Sequence, residues 1–137
     1  MQIGSFKLAA PVVLAPMAGV TNAPFRTMCR GFAPGLFYVN EMVMATAVVH
    51  GNPKTDRMMT FAADETPRSL QLYGSDPVVL SEAVRKVCDA GRVDHIDINF
   101  GCPAPKVTRK GGGAAVPAKP NLLRQIVRGA VTAAQPY

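Results

Sequence analysis

The sequence predicts an α/β fold, either a (β/α) barrel of the TIM type or an open doubly wound sheet. Short apolar runs alternate with helical patterns through four cycles, and the first of these runs shows no polar alternation. Such strands pair in parallel and connect through right-handed crossovers. Polar residues also follow the ends of successive strands, which favours the barrel, because a TIM barrel builds its active site there. An open sheet would gather them at one switch point.

The first cycle begins after a proline. Pro11 opens a strand over residues 12–15 whose apolar, unalternating sequence is typical of a strand buried on both faces. Thr21 or Asn22 then caps a helix that runs to about Gly31.

The second cycle pairs a strand over 36–39 with a helix over 41–49. Residues 51–54, Gly-Asn-Pro-Lys, are typical of a polar turn, so the helix is expected to end before them.

The third strand is predicted at 69–73, and its helix begins near Asp76 and Pro77, an acidic cap with proline in the first turn. Gly91 ends that helix, and the fourth strand covers 95–99. A last helix follows a long loop. Its apolar residues recur at helical spacing: Leu122, Leu123, Ile126, Val127, Ala130 and Val131.

Composition limits the classes of partner and compartment. Fifteen Lys and Arg against nine Asp and Glu give a formal net charge of +6, which is typical of proteins with an anionic partner and also of merely basic proteins. A length of 137 residues fits one domain or part of one. No apolar run reaches the roughly eighteen residues of a membrane span, and the start MQIGSFKLAA lacks a signal-peptide pattern. We therefore expect a cytoplasmic protein.

One of the three cysteines is a candidate catalytic residue. Their odd number and unpaired spacing predict reduced thiols rather than a disulfide framework or a zinc site, and we expect no metal. Cys29 and Cys88 fall inside predicted helices, where a cysteine is usually a small buried apolar residue. Cys102 instead follows the fourth strand in a Gly-Cys-Pro loop. A thiol there can donate a proton near neutral pH, or act as a nucleophilic thiolate beside basic residues.

A basic run, Lys106, Arg109 and Lys110, follows this cysteine and precedes the glycines 111–113. Such a run is either a solvated loop or an anion site, and its position beside Cys102 favours contact with a phosphate backbone. The glycines match neither a dinucleotide fingerprint nor a P-loop. We expect them instead to let the loop pack closely.

Amide side chains lie at the ends of the third and fourth strands. Gln71 can present a donor and an acceptor to a planar heterocycle. Asp97 and Asn99 alternate with Ile96 and Ile98, which puts both polar side chains on one face of the strand. That face is expected to point toward the interior or mouth of a barrel.

Four segments resemble, in order and spacing, the tRNA-dihydrouridine synthases. They are LAPMAGVTNAPFR at 14–26, NEMVMA at 40–45, QLYGSDP at 71–77 and DINFGCPAPKVTRKGGGAA at 97–115. The last is the most specific, whereas NEMV departs from the more usual serine-glutamate start. That family has a TIM (β/α)8 barrel with a smaller helical domain. The resemblance implies that residues 1–137 are the N-terminal portion of such a barrel, about its first four βα units.

The resemblance also implies a reaction. These enzymes reduce the C5–C6 double bond of uridine in tRNA with electrons that pass from NADPH through FMN. Pro16 and Met17 would line the flavin ring, and Gln71 would bond its polar edge. Asn99 would face the uracil, and Cys102 would be the general acid that protonates C5 after hydride reaches C6. The tRNA phosphates near the flipped uridine would be held by three basic residues: Lys106, Arg109 and Lys110.

A TIM barrel takes about 250 residues, and this chain offers half of the required cycles. We therefore expect an N-terminal piece of a longer enzyme, or a truncated gene product, that is inactive alone. Three alternatives stay open. They are another FMN-dependent barrel reductase acting on a small molecule, a non-catalytic RNA-binding fragment, and a half-barrel that associates with itself.

Overall fold

A short antiparallel hairpin precedes the sheet in the computed structural model, which describes residues 1–137. Strand β1 (Gln2–Ile3) pairs with β2 (Phe6–Lys7), and nothing in the sequence pattern predicted this pair. The Phe6 ring packs edge-on against Phe37, the first residue of a later strand, with centroids 5.8 Å apart. Phe37 contacts His95, which opens another strand, in the same manner. The hairpin therefore lies at the amino ends of the strands.

The strand and helix of the first predicted cycle are confirmed, but the expected burial of the strand on both faces is wrong. Strand β3 (Val13–Leu14) is followed by helix α1 (Ala23–Phe32), and the Asn22 side chain accepts a hydrogen bond from the Phe25 N–H, 3.1 Å away, as an N-cap. The strand is not buried on both faces, because Val13 is 39% exposed. As an edge strand, β3 pairs on one side only.

The second cycle departs from the predicted helix over 41–49. Strand β4 (Phe37–Tyr38) is followed by β5 (Val43–Met44), and only then by helix α2 (Ala45–Val49). Val43 is almost fully buried and pairs with Leu72 of the neighbouring strand. Sheet pairing here outweighs the local preference for helix.

A further helix, α3 (Pro53–Met58), replaces the predicted polar turn. The Asn52 side chain accepts hydrogen bonds from the backbone N–H groups of Lys54 and Thr55, and Pro53 lies in the first turn. Asn-Pro is a helix-start signal as well as a turn signal, and here it starts a helix.

The remaining elements follow the prediction closely. Strand β6 (Ser69–Tyr73) leads to helix α4 (Pro77–Asp89), whose N-cap is the Asp76 carboxylate. Strand β7 (His95–Ile98) pairs with β6 in parallel. The long loop contains a short helix, α5 (Pro105–Thr108), and a 3-10 turn (Gly113–Ala115), which were not predicted, and the last helix is α6 (Pro120–Ala134).

The parallel strands lie in chain order. β3 pairs with β4, a single bridge joins Val39 to Ser69, and β5, β6 and β7 continue the series. In a doubly wound sheet a later strand is added on the other side of the first strand, at the point where the strand order reverses. Here every strand after β3 is added on the same side of it. This order favours the barrel interpretation, which stays a prediction because β3 and β7 each pair on one side only.

The apolar core lies between β5–β7 and the helices α2, α4 and α6. Leu70 and Leu72 of the central strand are completely buried, as are Leu80 of α4 and Ile126 of α6. Helices α4 and α6 approach closely at Gly129, where an added Cβ would meet the Ser81 side chain. None of the helices combines the length and hydropathy that a bilayer crossing requires.

Candidate active site

The site is built on the paired strands β6 and β7. Gln71 and Asp97 are partners in the parallel register, and the Gln71 Nε2 group donates a hydrogen bond to the Asp97 carboxylate. Gln71 is 5% exposed, because it lies on the central strand of the sheet. The prediction that Asp97 and Asn99 share one face agrees with this geometry, since both contact the same glutamine.

Asn99 connects this pair to the cysteine loop. Its Nδ2 group donates to Gln71 Oε1 at 3.0 Å, while its Oδ1 atom accepts from the backbone N–H of Cys102 at 3.0 Å and of Gly101 at 3.3 Å. We call the series Asp97, Gln71, Asn99 and the Cys102 N–H the polar chain. It joins the half-buried Asp97 of β7 to the backbone of the candidate acid through three hydrogen bonds, by way of the buried Gln71.

The cysteine loop closes on the glycine run. Cys102 is a free, half-buried thiol, and its carbonyl accepts from the Ala114 N–H at 3.0 Å. Gly113 has a φ of +54°, and a Cβ there would lie 2.5 Å from the Cys102 carbonyl oxygen and 2.9 Å from Val107. The expectation that the glycines allow close packing is therefore confirmed at Gly113.

Tyr73 is a neighbour of Cys102 that sequence reasoning missed. Burial raises the pKa of the Tyr73 phenol, and the negative charge of a Cys102 thiolate would raise it further. The phenol therefore stays neutral across the physiological range. Two signals in the sequence could have identified it. Tyr73 ends the predicted strand, and strand alternation places its side chain on the same face as Gln71.

Two of the three predicted basic residues share a cavity. Lys106 and Lys110 line a space of about 300 Å³ together with Tyr73 and Ser75, and the Ser75 hydroxyl donates to the Lys110 carbonyl at 2.8 Å. Arg109 caps α5 and lies outside that lining. None of the three takes part in an ion pair, because the four ion pairs of the chain use other residues. Their charges are therefore available to an anion.

Pro16 and Met17 follow β3 in a turn of their own. The Met17 N–H donates to the Thr21 hydroxyl at 3.0 Å, and Met17 is 39% exposed. No hydrogen bond joins this turn to the polar chain. The structure thus brings Gln71, Asn99 and Cys102 together directly, while Pro16 and Met17 stand apart at the end of another strand.

A buried ion pair that the sequence patterns did not predict supports the Met17 turn. Arg26 of α1 is completely buried and bonds Glu65 at 2.6 Å and 3.0 Å through two nitrogens. Its remaining N–H groups reach the Thr21 and Thr60 carbonyls and the Asn40 side chain. Asn40, the first residue of the NEMVMA segment, is therefore a structural partner of this arginine. We call Arg26, Glu65 and Asn40 the arginine cluster.

Comparison with known proteins matches residues 13–136 to the family described as Dihydrouridine synthase (Dus). A Mycobacterium tuberculosis protein named "Probable tRNA-dihydrouridine synthase" is 54% identical over 142 aligned residues, which cover 98% of this chain and 36% of that protein. A Mycobacterium leprae protein of the same name is 50% identical, over 90% of this chain and 38% of its own length. The "tRNA-dihydrouridine synthase B" of Salmonella typhimurium is 40% identical, over 97% and 41%. The chain thus spans roughly two fifths of the length of these relatives.

Proposed function

Because the chain belongs to the dihydrouridine synthase family, we propose that it forms part of an enzyme that reduces uridine in tRNA to 5,6-dihydrouridine. The observation that carries the proposal is the cysteine loop: a free, half-buried thiol that follows the carboxyl end of β7 and is tied through Asn99 to the buried Gln71 in the middle of β6. That end of the strands is where barrel enzymes place their chemistry.

One side chain of the site can offer a hydrogen bond to the polar edge of a flavin. Gln71 donates one Nε2 hydrogen to Asp97, and its second Nε2 hydrogen has no partner in the chain. We propose that Gln71 of β6, with Pro16 and Met17 from the end of β3 on the far side of β4, holds FMN. Once reduced by NADPH, FMN bound there would supply the hydride for C6 of the uracil.

Cys102 completes the reaction as the general acid. The C5–C6 double bond gains a hydride at C6, and the electron pair left on C5 takes a proton from the Cys102 thiol. The thiolate then recovers a proton from water. Asn99, which keeps one Nδ2 hydrogen after bonding Gln71, donates it to a uracil carbonyl and so orients the substrate.

The RNA itself is held by charge. The uridine must leave its stack to reach the site, and the flanking phosphates then need cationic partners. Lys106, Arg109 and Lys110 are unpaired cations on the loop that follows Cys102. We propose that they contact these phosphates, with Lys106 and Lys110 acting through their shared cavity.

We also propose that the chain is inactive when isolated, because its four parallel strand positions are half of a closed barrel. Turnover is therefore a poor test, and flavin retention is a better one. The purified chain is mixed with FMN and desalted, and its visible absorption spectrum is recorded beside that of Gln71→Ala and of Gln135→Ala, a matched control at the end of α6.

Retained flavin that Gln71→Ala loses and Gln135→Ala keeps would support the FMN assignment. Loss of all flavin from the unaltered chain would contradict a flavin site built from Pro16, Met17 and Gln71 alone. Retention unaffected by Gln71→Ala would remove Gln71 from the site while leaving a flavoprotein. A measurement of tRNA binding in the same preparation decides separately whether the RNA part of the proposal holds.

A further inference from the structure

Asp97 makes a contact that the proposed chemistry does not use. It is not a proton donor or a ligand of the substrate in that scheme, yet its carboxylate accepts a hydrogen bond from the buried amide of Gln71. We propose that Asp97 is the positioning residue of the site, which orients the polar chain and holds the Cys102 loop. The consequence for catalysis rests on the proposed function, whereas the positioning itself does not.

The orientation follows from donor and acceptor types alone. A carboxylate only accepts, so Gln71 must turn its NH₂ group toward Asp97 and its Oε1 atom away from it. Oε1 only accepts as well, so Asn99 must turn its NH₂ group toward Gln71. Asn99 Oδ1 then faces the loop, where it accepts from the backbone N–H of Cys102 and of Gly101. The hydrogen-bonding type of each group thus fixes the orientation of the next amide in the series.

The first bond of the series is also the best anchored. Gln71 and Asp97 are register partners on adjacent strands, so the backbone ladder fixes the distance between them. A hydrogen bond to a charged group is stronger than one between neutral groups, and burial of Gln71 protects it from water. The cysteine loop has no strand partner, and two sets of bonds hold it: those from the Gly101 and Cys102 N–H groups to Asn99, which belong to the series, and the one from the Ala114 N–H to the Cys102 carbonyl.

This arrangement defines what the site can recognise. Asn99 Oδ1 already accepts two hydrogen bonds and Gln71 Oε1 accepts one, while each amide keeps one N–H without a partner. A ligand at these two amides therefore meets two donors and one remaining acceptor position, so most of the edge that it presents must carry acceptors. Heterocycles with ring carbonyl groups meet that requirement, and amino-substituted ones do so less well.

Cysteine reactivity tests the positioning without flavin or RNA. The chain is treated with iodoacetamide, and alkylation at each thiol is followed by peptide mass spectrometry in the unaltered chain and in Asp97→Ala. We expect Cys102 to react roughly two to ten times faster in the variant, because its loop loses the support of about one hydrogen bond. The rates at Cys29 and Cys88, which lie in α1 and α4, should stay unchanged.

Four further variants make the result specific. Asp97→Asn keeps an acceptor oxygen and should return Cys102 to nearly its original rate. Gln71→Ala should raise the rate as Asp97→Ala does, and the double variant should exceed neither, since both break the same series. Asp94→Ala removes an ion pair to Arg68 at the other end of β7 and should leave Cys102 unchanged.

An unchanged Cys102 rate in Asp97→Ala would overturn the proposal. A parallel rise at all three cysteines would overturn it too, because Asp97 would then support the whole fold rather than the loop. Neither outcome depends on FMN, so the proposed function stands or falls separately in the flavin-retention assay.

Discussion

The arginine cluster gives the strongest stability prediction, through the substitution Glu65→Gln. Both side chains of the pair are essentially inaccessible to solvent, at 0% for Arg26 and 1% for Glu65. All five N–H groups of Arg26 have acceptors, two of them on Glu65. The substitution removes the only negative charge beside a buried guanidinium and turns an NH₂ group toward its donors.

Breaking one side of such a pair costs about 3 to 5 kcal/mol, because the remaining charge is left uncompensated in a medium that solvates it poorly. A domain of this size has a free energy of unfolding of about 5 to 15 kcal/mol, so the loss is a large part of the total. The corresponding fall in melting temperature is about 10 to 20 °C. Urea unfolding followed by far-ultraviolet circular dichroism measures the loss directly.

Asp64→Asn is the matched control, one residue away in the chain. Asp64 pairs with Arg30 but is largely exposed, so its removal should change the urea midpoint little. Replacing both charges, by Arg26→Met with Glu65→Leu, should recover part of the loss. A Glu65→Gln midpoint equal to that of Asp64→Asn would refute the reasoning, since burial would then add nothing to the pair.

Three further predictions concern the glycine turn, the basic loop and the sheet. Gly113→Ala should destabilise the chain by about 2 to 4 kcal/mol, because φ is +54° and the new Cβ overlaps the Cys102 carbonyl oxygen. Gly101→Ala, which has open space around the new Cβ, should cost far less, and urea unfolding midpoints compare the two variants. Lys106→Ala should reduce the magnitude of the slope of log tRNA affinity against log salt concentration by about one, while Lys119→Ala, beyond the glycine run in the sequence, should leave the slope unchanged. Fluorescence anisotropy at several salt concentrations measures both slopes. Burial lowers the pKa of His95 from its usual 6.5, so the unfolded chain takes up the proton first and the free energy of unfolding falls as the pH drops through about 6.5. His95→Gln should reduce that fall, measured as urea midpoints against pH, and a pH profile identical to that of the unaltered chain would contradict the prediction.

Local signals predicted the helix starts well. Asn22 before α1 and Asp76 with Pro77 before α4 act within one turn of their own backbone, so a short window of sequence contains the whole interaction. The failure at β5 has the opposite cause. Val43 is a strand residue because Leu72 lies beside it, and a contact across so many residues leaves no mark in the local pattern.

The candidate site divides in the same way. Asn99 and Cys102 could be named as candidates from the sequence, because they follow a strand and strand ends collect functional residues whatever the exact pairing. Gln71 was also expected at a strand end, but it lies in the middle of β6. The bond between Gln71 and Asp97 needed the register of two strands, which periodicity does not give. The bond from Arg26 to Glu65 needed the tertiary fold itself, and the only local hint was a charged residue in the otherwise apolar start of α1.

Both polar assemblies, the polar chain and the arginine cluster, lie outside the apolar core that joins β5–β7 to their helices. Apolar packing is not directional, so it stabilises the sheet without fixing the orientation of a particular amide or thiol. Hydrogen bonds are directional, and a buried one that loses its partner is costly, so each assembly admits few arrangements. The loops that carry Met17 and Cys102 are each tied to such an assembly. It follows that core substitutions at Leu72 should change stability with little effect on Cys102 geometry, whereas substitutions in the polar chain should change Cys102 geometry directly.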